Sequence, residues 1–151
     1  MENDKFGLSG KLKLELIRAG EKSIYETPNT VVTIGKSQIA GLMTPGVDVG
    51  STFTHMSIGL GSSTVAAGDD LLGSEYMKAE NTGTRTTTAV TNDTAQFIGS
   101  FGIKDSKTIN EAGLFNQSGL DLGSMFSRTG FANIVAISGD AINATWTVQV
   151  S

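Results

Sequence analysis

Cysteine is missing from all 151 residues, which excludes a disulfide framework and any thiolate metal site. Two prolines stand against nineteen glycines, and Thr and Ser are abundant, a balance that favours strands and turns over helices. No apolar run is long enough to cross a bilayer as a helix, so no membrane partner is expected. The opening MENDKFGLSG lacks the basic and apolar regions of a secretion signal. Basic clusters are missing too. Eleven Lys and Arg are scattered through a chain of net charge −4, which argues against binding a nucleic-acid backbone. One Trp and two Tyr, Tyr25 and Tyr76, are few for the aromatic face of a carbohydrate-binding β-sandwich.

What is present is a weakly charged chain, 38% hydrophobic and 17% charged, long enough for one domain with a real core. Met1–Gly10 is polar and reads as an N-terminal arm, anchored by Phe6 and Leu8, that packs on its own domain or crosses to a neighbour. The remaining residues, 11–151, form a single domain. Lys11–Arg18 alternates cleanly, with Leu12, Leu14 and Leu16 on one face. Ser23–Thr27 returns beside it, and Pro28-Asn29 is expected to end that ladder. Thr30–Met43 has helical spacing, with Val32, Gly35, Ile39, Leu42 and Met43 on one side and Asn29 or Thr30 as cap. Val47–Ser51 is loop, and Phe53–Leu60 is a strand. Tyr76–Glu80 and Arg85–Val90 read as two strands, and Thr94–Ile103 as another.

Thr108–Phe131 is the stretch around which the chain is organised. Two apolar segments, Ile109–Phe115 and Met125–Phe131, flank a polar loop, Asn116–Ser124, as in a long-looped hairpin. Asn133–Ser138 and Ala141–Ser151 are expected to pair across Gly139-Asp140. In the last strand Ile142, Ala144, Trp146, Val148 and Val150 face inward. Many short strands, regular turn signals and one short helix predict a mainly β fold, an antiparallel β-sandwich of jelly-roll type.

The residues that could carry chemistry are few. Arg128 lies where it can face Glu111 or Asn116 across the organising hairpin, and a structural pairing is the reading. His55, the only histidine, reads as a hydrogen-bonded strand residue. Gly59-x-Gly61 invites a phosphate-loop reading, but the Gly-Lys-Ser/Thr ending is absent. Asp69, Asp70 and Glu75 could approach a calcium ion, yet the EF-hand pattern is missing, and local turn capping fits Asp69 or Asp70 better. No catalytic, cofactor-binding or metal-binding residue is assigned, no cofactor is expected, and no enzyme is indicated.

The order of the motifs carries more than any one of them. PNTVVTIGKSQIAGLM, HMSIGLGSSTVAAGDDLLGSE, AQFIGSFG, INEAGLFNQSG, SMFSRTGF and TWTVQVS together resemble small structural proteins of tailed bacteriophages, over Pro28 to Ser151. The resemblance implies a virion component made in the bacterial host cytoplasm. It points first to a capsid decoration, or cement, protein on the outer shell. Such a protein holds major capsid subunits together and associates with itself as a dimer or trimer. A tail, collar or fibre-base protein is the alternative.

Overall fold

Strict alternation of apolar and polar side chains is satisfied only when one face of a strand is buried. KLKLELIR and AINATWTVQV are the two clearest cases. In the computed structural model, which describes residues 6–47 and 52–151, they become β1 (Leu8–Arg18) and β8 (Ala141–Val150). These two strands pair with each other, Leu14 opposite Ala144 and Leu12 opposite Trp146. Between them run β2 (Glu21–Val31), α1 (Thr33–Leu42), β3 (His55–Gly59), β4 (Glu75–Thr86), β5 (Thr94–Gly102), β6 (Lys107–Phe115) and β7 (Met125–Ala136).

The spatial order is β1-β2-β7-β6-β3-β4-β5-β8, every neighbouring pair is antiparallel, and β8 returns to β1. The sheet therefore closes into an eight-stranded barrel. The expected β-sandwich of jelly-roll type is incorrect, because the first and last strands join and leave no pair of facing open sheets. Every strand thus has a neighbour on both sides, although the seam between β2 and β7 is only two residue pairs long.

Inward-facing side chains fill the barrel: Leu12, Leu14 and Leu16 meet Ile58, Phe101, Leu114, Ile134 and Trp146. Trp146 is fully buried and needs a partner for its indole N–H. With the Asn29 amide oriented to suit its neighbours, Asn29 Oδ1 accepts from Trp146 Nε1 at 2.6 Å and from the Lys11 amide at 3.1 Å. The space that Asn29 occupies lies where a Cβ on Gly10 would stand, so Gly10 is required there. Val150, expected inside, is 43% exposed.

Several local expectations are corrected. Pro28 does not end its ladder, because β2 runs on to Val31 with Pro28 opposite Lys11. Its carbonyl accepts from Thr129 Oγ1 on the β7 side. A strand residue points its N and O toward the same neighbour, so the missing N–H falls beside β7. There β2 and β7 pair only at Thr30 and Val31. Those two residues are thus spent in the sheet, and the helix starts three residues late, after Val32, with no side-chain cap. Of its expected buried side, Val32 and Gly35 are buried, while Leu42 and Met43 are exposed.

β4 is one strand where two were expected; its first half pairs with β3 and its second with β5. Thr88–Val90 instead wrap the Asp93 carboxylate, which accepts from the amides of Thr88, Ala89 and Val90 and is held well below the usual aspartate range by them. Residues 133–136 continue β7 alongside β6, and β8 pairs with β1 and β5 rather than folding back on them. The turn before β8 is built around Asp140, whose carboxylate accepts from the Ile137 amide and from Arg18. β1 starts at Leu8, within the segment read as an arm, and the Gly7 amide donates to the Ser151 carbonyl. Residues 1–5 of that arm, and 48–51 of the expected Val47–Ser51 loop, lie outside the described residues.

Candidate functional site

β6 buries both of its faces. Ala112 and Leu114 enter the barrel, while Glu111, Gly113 and Phe115 point outward and are nevertheless covered. Their cover is the connection from Leu60 to Ser74, a strap laid over the outer wall. A buried carboxylate must be compensated by hydrogen bonds and opposite charge. Glu111 Oε1 accepts from the amides of Gly61 (2.7 Å) and Ser74 (2.8 Å), and Oε2 from the Gly73 amide (2.9 Å) and Arg128 Nη2 (2.8 Å). A Cβ on Gly59 or Gly61 would stand 2.6 Å or 2.4 Å from Glu111 Oε1. The Gly59-x-Gly61 pair does wrap an anion, but the anion belongs to the chain itself.

Arg128 ties the strap a second time. Its Nη1 donates to Asp69 Oδ2 at 2.6 Å, and its Nη2 also donates to Ser63 Oγ at 2.8 Å. Burial pushes the Asp69 carboxyl up, but the Ala66 amide and the Arg128 guanidinium outweigh it and hold the group below its ordinary value. Asp69 also closes the turn at Ala66–Asp69, the capping role read for it. Of the two partners read for Arg128 in the sequence, Glu111 is the one it bonds here. The strap that joins them had no short-range signal.

A second buried pair holds the loop between β6 and β7. The side chains of Glu75 and Lys78 are 1% and 2% exposed and lie 3.2 Å apart. Lys78 Nζ donates to the carbonyls of Gly119 (2.6 Å) and Leu122 (3.0 Å) and sits 4.1 Å from the centre of the Phe115 ring. Glu75 accepts from Ser57 Oγ and from the Asp121 amide. Lys78 was not singled out by the sequence; a lysine in an alternating strand looks solvated until a loop covers it.

Asp69 and Glu75 are therefore engaged by different cations. Among the described residues, no three His, Asp or Glu side chains gather as a metal site. His55 Nδ1 lies 2.8 Å from Thr54 Oγ1 at the start of β3. The sequence residues are thus divided: Glu111, Arg128 and Asp69 form one cluster, Glu75 joins Lys78 in another, and His55 stands apart.

Two open grooves flank these pins. One, of about 500 Å³, runs between Gly61–Val65 of the strap and Asn110, Gly130, Phe131 and Asn133 of β6 and β7. The other, of about 460 Å³, lies between Phe6–Leu8 and the Lys36, Ile39, Ala40 and Met43 side of α1. Of its lining residues, Phe6 and Met43 are 62% and 71% exposed. Single exposed apolar residues are ordinary, but two that line one groove mark a candidate contact surface.

These features define a class: a closed antiparallel barrel with two loops pinned to its outer wall by buried ion pairs and with an apolar groove against α1. Comparison with protein-family models, curated proteins and solved structures finds no match to this chain. Among the described residues no helix is long and apolar enough to cross a membrane.

Proposed function

We propose that this chain is a bacteriophage virion structural protein that decorates the outer shell and strengthens contacts between major capsid subunits. The observation that carries the reading is the apolar groove between α1 and the start of β1, lined by the exposed Phe6 and Met43, with Leu42 exposed next to Met43 in the chain. The order of sequence motifs from Pro28 to Ser151 supports it. A decoration protein acts by binding the assembled shell better than free subunits, which stabilises assembly by mass action. Several copies gripping neighbouring subunits make modest individual contacts sufficient. Self-association as a dimer or trimer belongs to the same reading.

The test mixes purified protein with shells lacking it and counts bound copies by sedimentation and electron microscopy. Ordered density on the shell exterior is expected, with Met43→Glu and Leu42→Glu lowering occupancy at least tenfold, since a charge cannot enter an apolar contact without large cost. Bare shells, with the protein found only at the tail of complete particles, would replace this reading with the tail or collar one.

A further inference from the structure

The groove beside the strap differs in chemistry from the one beside the helix. Among the described residues lining it, none carries a charge. Its walls offer the hydroxyls of Ser62, Ser63 and Thr64, the amide of Asn133 and the ring of Phe131. A phosphate or carboxylate ligand calls for a free cation or for convergent free amides, and the Gly61 amide is already spent on Glu111. The nearest guanidinium, that of Arg128, already has its two terminal nitrogens on Asp69, Ser63 and Glu111. A wholly apolar ligand would leave the hydroxyls and amide without partners. The occupant that meets both constraints carries many neutral groups that donate and accept at once, together with a patch of C–H for the face of the aromatic ring.

We propose that this groove binds a neutral saccharide. Its volume, about 500 Å³, falls in the range of small-molecule sites. It is also held in shape before any ligand arrives. Ser63 is fixed by Arg128, and Gly61 by Glu111. The Asn110 amide, oriented to satisfy both ends, donates to the carbonyls of Gly61 (2.9 Å) and Leu60 (3.2 Å). A rigid wall lowers the ordering cost of binding. The floor is the irregularity between Ile109 and Glu111, where Ile109 faces Ile134 but Glu111 faces Gly130, so the ladder with β7 slips by two residues. Bulges of this kind re-aim side chains and recur beside binding sites. A few exposed aromatics rule out a broad stacking platform; one ring in a narrow groove is a different design.

The inference is independent of the shell reading, since binding is measured on the isolated protein. The probes are immobilised neutral di- to tetrasaccharides of glucose, galactose, mannose and N-acetylglucosamine, with inorganic phosphate and galacturonate oligomers as charged comparators. Hits are followed by amide chemical-shift mapping. The expected result is binding of at least one neutral probe, with shifts centred on Ser62–Val65, Gly130 and Asn133. Asn133→Ala removes one hydrogen-bonding group and should weaken binding by about three- to tenfold. A Cβ at Gly130 would stand in the groove, 3.5 Å from Val65 Cγ2 and 3.8 Å from the Asn110 carbonyl, so Gly130→Val should abolish binding. Asn133→Ala alters only an exposed side chain and keeps the test decisive if Gly130→Val folds poorly. No neutral probe bound at up to about 10 mM, binding of the charged probes only, or shifts elsewhere on the barrel would each overturn the proposal.

Discussion

Glu111 carries the heaviest duty of any single residue. It is fully buried, yet every one of its partners lies on another element: three strap amides and the guanidinium of β7. An uncompensated buried charge costs more than a paired one gains, so the asymmetry falls on whichever partner remains. Glu111→Gln keeps the shape but presents an NH₂ group to donors. It should lower unfolding free energy by about 3–5 kcal/mol, read from urea midpoints, because Arg128 is left under-compensated. Hydrogen exchange at Gly61, Gly73 and Ser74 should quicken in the same variant. A loss under about 1 kcal/mol with unchanged exchange would show that the strap is held by its apolar residues instead. Leu72 and Phe115, buried with Val32 and Met125 outside the barrel, are the ones that would do so.

At the scale of elements, α1 is held by contact rather than by its own propensity. Gly35 lies against β7 so closely that a Cβ would meet the Phe126 carbonyl oxygen at 2.2 Å. In an exposed helix Gly→Ala is stabilising by up to about 1 kcal/mol. Here the obstacle is backbone, so Gly35→Ala should destabilise by about 1–3 kcal/mol, as overpacking does. The sign alone separates the two cases in a thermal melt. The elements were largely legible in the sequence because alternation is local: Leu12-Leu14-Leu16 and Ile142-Ala144-Trp146-Val148 state their buried faces without reference to anything else. Which strand lies beside which was not. Whether β1 meets β8, or residues 133–138 fold back on β8, is decided by partners far apart in the chain, and the alternation is the same in both arrangements. Arg128 was legible as a partner for Glu111 or Asn116 because all three belong to one hairpin. Asp69, Ser63 and the strap glycines reach the pair only through the tertiary fold, and the groove at Asn110 and Gly130 arises from a bulge with no local signature.

For the whole molecule, closure brings the ends of the described chain together. Gly7 and Ser151 exchange hydrogen bonds of 2.6 Å and 3.0 Å. The barrel should therefore tolerate a change in where the chain is cut. A circular permutant that replaces residues 1–5 by a short Gly/Ser linker after Ser151, and opens between Pro45 and Gly46 in an exposed turn, should fold with its melting temperature lowered by only a few degrees. Circular dichroism and melting would test this. A permutant that fails to fold would mean that the Pro45–Gly46 connection, not the barrel, organises the molecule.

The same closure sets a schedule for synthesis. β1 is made before the other strands of the barrel but obtains its second partner only when β8 has been made, so the unfinished barrel carries two bare strand edges, on β1 and β5, until its last strand arrives. Sequence-distant pairings also slow folding after release. The yield of folded protein would then depend on how well the unfinished chains are kept apart during synthesis, more than on the stability of the finished barrel.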